Sequence, residues 1–239
     1  MRICIDPGHG GTKPGAVANG IIEKEVNLIV SMLVRDMLHA HGIEVLMTRT
    51  EDRDVTLKQR TELANSKNAD AFVSIHHNGT ANTKDRGIEI YHSIVGGEGL
   101  RLAYLIHECY RALILELPSR GIKTRKGSDG RDYYHVIRET KMPAVITEGG
   151  FITNPEDAAL IKTKSFQERQ AQAISQGIML WGEKNIMPEA PEWKKVGLKW
   201  LEENGFITPG RWQAEDVLDM GTLGNILMQM IITGKRGEK

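Results

Sequence analysis

The sequence predicts an α/β fold: a twisted, mostly parallel sheet flanked by helices, followed by a small helical C-terminal module. Three observations predict it. Short apolar runs of buried-strand type alternate with longer stretches of helical period as far as Trp181. Several of the strand-type runs end in polar residues and glycines, and in open α/β sheets the crevice beyond strand C-termini is where ligands bind. Past Trp181 the pattern changes to a short proline-containing stretch and then a tryptophan-rich segment.

The first strand is Ile3-Cys4-Ile5-Asp6, stopped by Pro7 and Gly8 and followed by His9 between glycines. A histidine so placed projects from a strand end, although Gly-His-Gly alone is equally an exposed turn. The glycines do not form a phosphate-cradling loop, because Gly11 leads into Thr12-Lys13-Pro14. They do not form a dinucleotide fingerprint either, because Lys13 stands where the third glycine belongs and Pro14-Gly15 blocks a helix. Ala16 to Ile22 reads as irregular. Glu23-Lys24-Glu25 opens a helix to about His41, with Val26, Ile29, Val30, Leu33 and Met37 on one face. Acidic residues in a first turn also suit the helix dipole, so Glu23 and Glu25 have an ordinary explanation.

Ile43 to Met47 is a short strand, Thr48 to Asp54 a charged loop, and Thr56 to Asn65 a helix. Ala71 to Ile75 is a buried-type strand ending in His76-His77-Asn78-Gly79, the second strand to deliver histidine at its end. Gly87 to Tyr91 is a strand, about Gly99 to Glu116 a helix, and Lys123 to Tyr134 a polar loop. Ala144 to Thr147 is a strand ending in Glu148-Gly149-Gly150. Closing helices run from Asn154 to about Trp181.

The balance of 31 basic and 31 acidic residues offers no global basic field for nucleic acid. No apolar stretch is long enough to span a bilayer, so no membrane insertion is expected. The first strand begins at once, so no signal peptide is expected. Cys4 and Cys109 form neither a disulfide framework nor a zinc-finger pattern and read as buried free thiols.

Three strand ends and one helix start thus present His9, His76, Glu148 and Glu23. Two imidazoles and a carboxylate are the ligand set of a catalytic zinc site that leaves a position for water. A further carboxylate can serve as general base and acid. The spacings of 14 and 53 residues are not a local helical metal motif, so spacing alone says little.

The residues also carry a resemblance. Asp6-Pro7-Gly8-His9-Gly10-Gly11, Glu23-Lys24-Glu25-Val26-Asn27-Leu28, Ser74-Ile75-His76-His77-Asn78 and Pro143 to Phe151 resemble, in order, motifs of the zinc-dependent N-acetylmuramoyl-L-alanine amidases of the amidase-3 family. The resemblance spans residues 1–182 and implies hydrolysis of the lactyl–L-alanine amide of peptidoglycan by a zinc-activated water. It implies one Zn2+ per chain, with His9, Glu23 and His76 as ligands and Glu148 as the catalytic glutamate. The family usually has a small residue where His77 stands. Strand alternation sends His76 and His77 to opposite sides, which favours His76 as ligand and leaves His77 as the substitute. Glu25 reads as a solvated first-turn residue. Asn78 and Arg138 are candidates for orienting substrate, with turn and surface roles as their alternatives.

Residues 183–191 read as a linker, and 192–239 as a small C-terminal cell-wall-binding or association module. The latter weakly resembles one S-layer-homology-like repeat through Pro191-Glu192-Trp193, Trp200 to Gly205 and Arg211-Trp212. Its expected partner is a secondary wall polymer or a second copy. Leu218-Asp219-Met220-Gly221 stands where such repeats usually carry Thr-Arg. The expected whole is an enzyme like a phage endolysin, made in a host cytoplasm and released through a membrane lesion, or exported unconventionally. The alternatives are a zinc peptidase or amidohydrolase on another amide and a non-catalytic wall-binding protein. The latter should lack a ligand or Glu148, and all four residues are present.

Overall fold

The structure is a computed structural model that describes residues 1–183. Apart from Glu183, the linker and C-terminal module expected over 183–191 and 192–239 lie outside the described residues.

The chain builds β1 (Arg2–Pro7), β2 (Val17–Ala18), β3 (Ile21–Ile22), α1 (Glu23–Ala40), β4 (Glu44–Met47), α2 (Leu57–Ser66) and β5 (Ala71–Asn78). It continues through β6 (Ile88–His92), α3 (Gly97–Leu113), β7 (Ser119–Lys123), α4 (His135–Arg138), β8 (Ala144–Phe151), α5 (Pro155–Ile161) and α6 (Lys164–Gly182). Six strands form one sheet in the order β4-β1-β5-β8-β6-β7. Every neighbouring pair is parallel except β6 with β8. The predicted α/β class and mostly parallel sheet are borne out. The reversal at β6 has a simple cause: residues 79–87 are too few for the helical crossover that a parallel return needs.

Because side chains alternate along a strand, Cys4, Phe72, Ala144 and Ile146 share one face of the sheet. There they pack with Ala64 of α2 and with Val136 and Ile137 of α4. The opposite face carries Ile3, Ile5, Val73, Ile75 and Val145, all essentially unexposed, and is covered by α1 and α3. On that side α6 comes so close to α3 that a Cβ at Gly177 would strike the Ile106 backbone. Cys4 and Cys109 are buried free thiols, as expected.

Local chemistry sets the helix ends. Thr56 and Gln59 form a reciprocal capping box at α2. Asn154 caps α5 through its side chain, with Pro155 in the first turn. α1 opens without a side-chain cap, at Ile22.

Several expectations are corrected. The buried face of α1 is Val26, Asn27, Val30, Ser31, Val34 and Leu38, whereas Ile29 is 45% exposed. The apolar period misleads here because two polar residues lie inward. The irregular stretch after the glycine loop contains the β2–β3 hairpin. The charged loop after β4 begins with buried Thr48 and Arg49. β7 forms where no strand was expected, and β8 continues through Glu148 to Phe151.

Candidate metal centre

The site lies at the C-terminal ends of β1 and β5, beside the middle of β8. Gly8 extends the sheet by donating from its nitrogen to Ile75 O at 3.0 Å. His9 then takes φ 60°, a left-handed conformation that costs a non-glycine residue free energy and persists only where the surroundings impose it. Two buried arginines impose it. Arg60 Nη2 donates to His9 O at 2.7 Å and its Nη1 to Pro7 O at 2.8 Å. Arg49 donates from Nε to Pro7 O at 3.0 Å and from Nη2 to Gly8 O at 2.9 Å and Lys24 O at 2.7 Å. Arg60 is anchored in turn by Asp6 at 2.6 Å, whose carboxylate also accepts from Thr48 and Ser74. Burial pushes the Asp6 carboxyl up, but Arg60 and these hydroxyls outweigh it and hold it below its usual range.

Into this frame α1 brings Glu23 and β5 brings His76. Glu23 Oε2 lies 3.1 Å from His9 Nε2, and Glu23 Oε1 lies 2.9 Å from His76 Nδ1. The two imidazoles meet edge to face with centroids 4.9 Å apart. One donor atom from each of the three residues falls within 4.8 Å of the others. Ala16 N donates to Glu23 Oε2 at 2.8 Å, and Asn27 Nδ2 donates to Oε1 at 3.1 Å. Burial raises the Glu23 carboxyl, but the two histidines lower it further than burial lifts it, so it stays ionised.

Two glycines make the room. A Cβ on Gly8 would overlap the His76 ring, and one on Gly15, which has φ 73°, would overlap Glu23 and His9. The convergent donors, the ionised carboxylate and this cradle fit a small cation with N/O ligands.

Glu148 stands in register with His76 across β5–β8 and with Glu89 across β8–β6, so the three side chains share one face. Its Oε2 is sealed from solvent and has no hydrogen-bond partner among the described residues. Burial first, then the Glu23 and Glu89 carboxylates, push the Glu148 carboxyl well up from its usual range. The structure thus brings His9, Glu23 and His76 together and sets Glu148 beside His76.

His77 takes the other face, 2% exposed, with Nδ1 2.8 Å from Asn27 Oδ1. Burial lowers its pKa to about 4. Glu25 is exposed. Arg138 is occupied: Nη1 donates to Asp132 O at 2.8 Å and to Tyr133 O at 3.1 Å, which secures the polar loop before α4. Asn78 donates to Glu89 at 2.8 Å. Each thus has partners within the chain, and Asn78 stands in β5 rather than in a turn.

Sequence reasoning missed Arg49, Arg60, Asn27 and Glu89. The arginines sit in charged segments that read as solvated, and nothing local marks them. Asn27 lies one turn beyond Glu23, a spacing that already put it beside that carboxylate. Glu89 was visible as a lone acid inside an apolar strand. It is buried with Arg120 at 2.9 Å, with Lys123, and with the Tyr91 hydroxyl at 2.9 Å.

Residues 3–179 match the Amidase_3 family, described as N-acetylmuramoyl-L-alanine amidase. The chain belongs to this amidase family. It is 39% identical over 181 residues to the N-acetylmuramoyl-L-alanine amidase CwlM of Bacillus licheniformis, covering 74% of this chain and 67% of that one. It is 36% identical over 177 residues to the endolysin of Bacillus phage SPP1, covering 74% and 64%. Among solved structures, the catalytic domain of CwlV, an N-acetylmuramoyl-L-alanine amidase from Bacillus (Paenibacillus) polymyxa var. colistinus, superposes with a TM-score of 0.69 at 34% identity. That match covers 76% of this chain and 98% of the domain. The amidase family match therefore extends from β1 nearly to the end of α6.

Proposed function

We propose that this amidase-family chain hydrolyses the amide between the N-acetylmuramic acid lactyl group and L-alanine in peptidoglycan. His9, Glu23 and His76 would hold one zinc ion, and Glu148 is the general base and acid. The observation that carries this reading is the convergence of the three donors beside half-buried Glu148, whose Oε2 is enclosed with no hydrogen-bond partner among the described residues. The names of the relatives supply the bond.

A zinc ion so held lowers the pKa of water to about 7 and polarises a carbonyl oxygen. The chain does the rest. Arg49 and Arg60 hold the His9 loop, and Ala16 N and Asn27 orient the Glu23 carboxylate. Glu148 accepts the proton of the attacking water and returns it to the departing L-alanine amine. A general base works best with a pKa near the working pH, and its enclosure moves Glu148 that way.

Digestion of purified sacculi tests the reaction. Free L-alanine amino termini are the expected product. New termini elsewhere on the stem peptide would mean a peptidase, and intact sacculi a wall-binding protein.

The same reading extends to a lytic role like that of a phage endolysin, supported by the similarity to the SPP1 protein. Residues 192–239 would then target the wall or associate with another copy.

A further inference from the structure

His77 has no part in the chemistry above, yet it is an enclosed polar side chain next to a candidate ligand. Its ring reaches from β5 to two helices. Nδ1 lies 2.8 Å from Asn27 Oδ1 on α1, and Nε2 lies 3.1 Å from Oε1 of Gln170 on α6. Asn27 and Gln170 are both 0% exposed. Asn27 sits one turn after Glu23, and its Nδ2 donates to Glu23 Oε1 at 3.1 Å and to Gly8 O at 3.3 Å. With its nitrogen turned to those two acceptors, the Asn27 amide must present its oxygen to His77. The hydrogen between them therefore belongs to His77 Nδ1. Because the Gln170 amide nitrogen is committed to Gly149 O, a neutral ring then has no hydrogen to give Gln170 Oε1, and the contact that ties the ring is the one to Asn27. The His77 backbone nitrogen donates to the same Glu23 oxygen at 3.3 Å. One residue thus holds the carboxylate twice, directly through its backbone and through Asn27 with its side chain.

A hydrophobic trio would fill this place between sheet and helices without the cost of burying polar groups. The polar trio instead ends on Glu23. Partners behind a metal ligand fix its orientation, and their loss weakens metal binding. We propose that His77 is a positioning residue for the metal centre, holding the Glu23 carboxylate ready for the ion through Asn27. The inference rests on the reading that His9, Glu23 and His76 bind zinc.

The test uses the full chain, stripped of metal with a chelator and titrated with zinc against a chromophoric competitor, with the melting temperature of the metal-free protein measured alongside. His77→Phe keeps a ring of similar size and removes the donor, so a space-filling role predicts unchanged affinity. The expected result is zinc binding weaker by about 10–100-fold. Asn27→Ala should lose a similar factor, and the double variant no more than Asn27→Ala alone, because both cut one line of contact. His77→Gln, which keeps a donor, should recover part of the loss. Wild-type affinity in His77→Phe, or losses that multiply in the double variant, would overturn the proposal. Should His77→Phe not fold, Asn27→Ala and His77→Gln decide: loss in the first with retention in the second supports the relay, and unchanged affinity in Asn27→Ala overturns it. A wild-type chain that binds no zinc refutes the metal reading itself. Wild-type binding matched by every variant refutes only the role of His77.

Discussion

At the residue scale, the proposed function makes a single atom decisive at Glu148 and at Gly15. Glu148→Gln keeps size and polarity but cannot accept a proton. General acid–base groups contribute ~10²–10⁴-fold, so muropeptide turnover should fall by at least that order, with zinc content and melting temperature near wild type. A metal-free or fully active variant would contradict the assigned role. Gly15→Ala acts differently. Its new methyl group would meet Glu23 and His9 at a positive φ, so zinc content should fall together with activity. Zinc analysis and turnover on one preparation separate the two: the first variant loses chemistry alone, the second loses the metal first.

At the scale of elements, the end of β1 is held in place by α2 and by the segment after β4. The buried Asp6–Arg60 pair is the joint. Removing one partner of such a pair typically costs about 3–5 kcal/mol, because the other charge stays buried. Asp6→Asn should therefore lower the melting temperature markedly and loosen the His9 loop. The pH dependence has a definite sign. Asp6 titrates lower in the folded chain than in the unfolded one, where aspartate ionises near about 3.9. Its stabilisation is fully present above that value and is lost as pH falls through the folded pKa. Melting curves from neutral to acid pH should thus converge for wild type and Asp6→Asn. Coincident curves would show that the pair contributes nothing, and parallel, offset curves that its contribution does not depend on the Asp6 charge. The close crossing of α6 and α3 at Gly177 is the other tight joint of the fold.

At the scale of the whole molecule, the matched family segment ends at residue 179, close to the end of α6 at Gly182. A chain cut after Gly182 should fold and hydrolyse soluble muropeptide, because every proposed catalytic side chain lies before that point. Its activity on intact walls should fall, or its oligomeric state should change, if residues 192–239 target or associate. Insolubility would refute the division at 183–191. Unchanged wall activity and sedimentation would remove both roles from the C-terminal segment. Among the described residues no helix is long and apolar enough to cross a membrane. Removal of zinc with a strong chelator should abolish lysis, and readdition should restore it.

The sequence by itself determined the sheet class, the order of its main elements and the four residues of the candidate site. Those signals are local: an apolar run that gives way to a histidine or glutamate beside glycine is visible without its neighbours, even though β8 itself runs on through Glu148 to Phe151. Alternation along β5 was enough to choose His76 over His77, because a period of two sends adjacent side chains to opposite faces. Only the tertiary structure decided what holds the site. Arg49 and Arg60 read as surface charge because their acceptors are backbone carbonyls of β1 and the His9 loop, some 40 to 50 residues away in the chain. Asn27 and Ser31 disguised the buried face of α1: Asn27 is turned inward to meet Gly8 and His77, partners that only folding brings near, and the Ser31 hydroxyl is buried with no hydrogen-bond partner among the described residues. The reversal of β6 and the meeting of Glu89 with Arg120 and Lys123 depend likewise on which strands become neighbours. Hydrogen bonds to backbone and contacts between strands carry no residue-type signature along the chain, so they become legible only when the chain has folded.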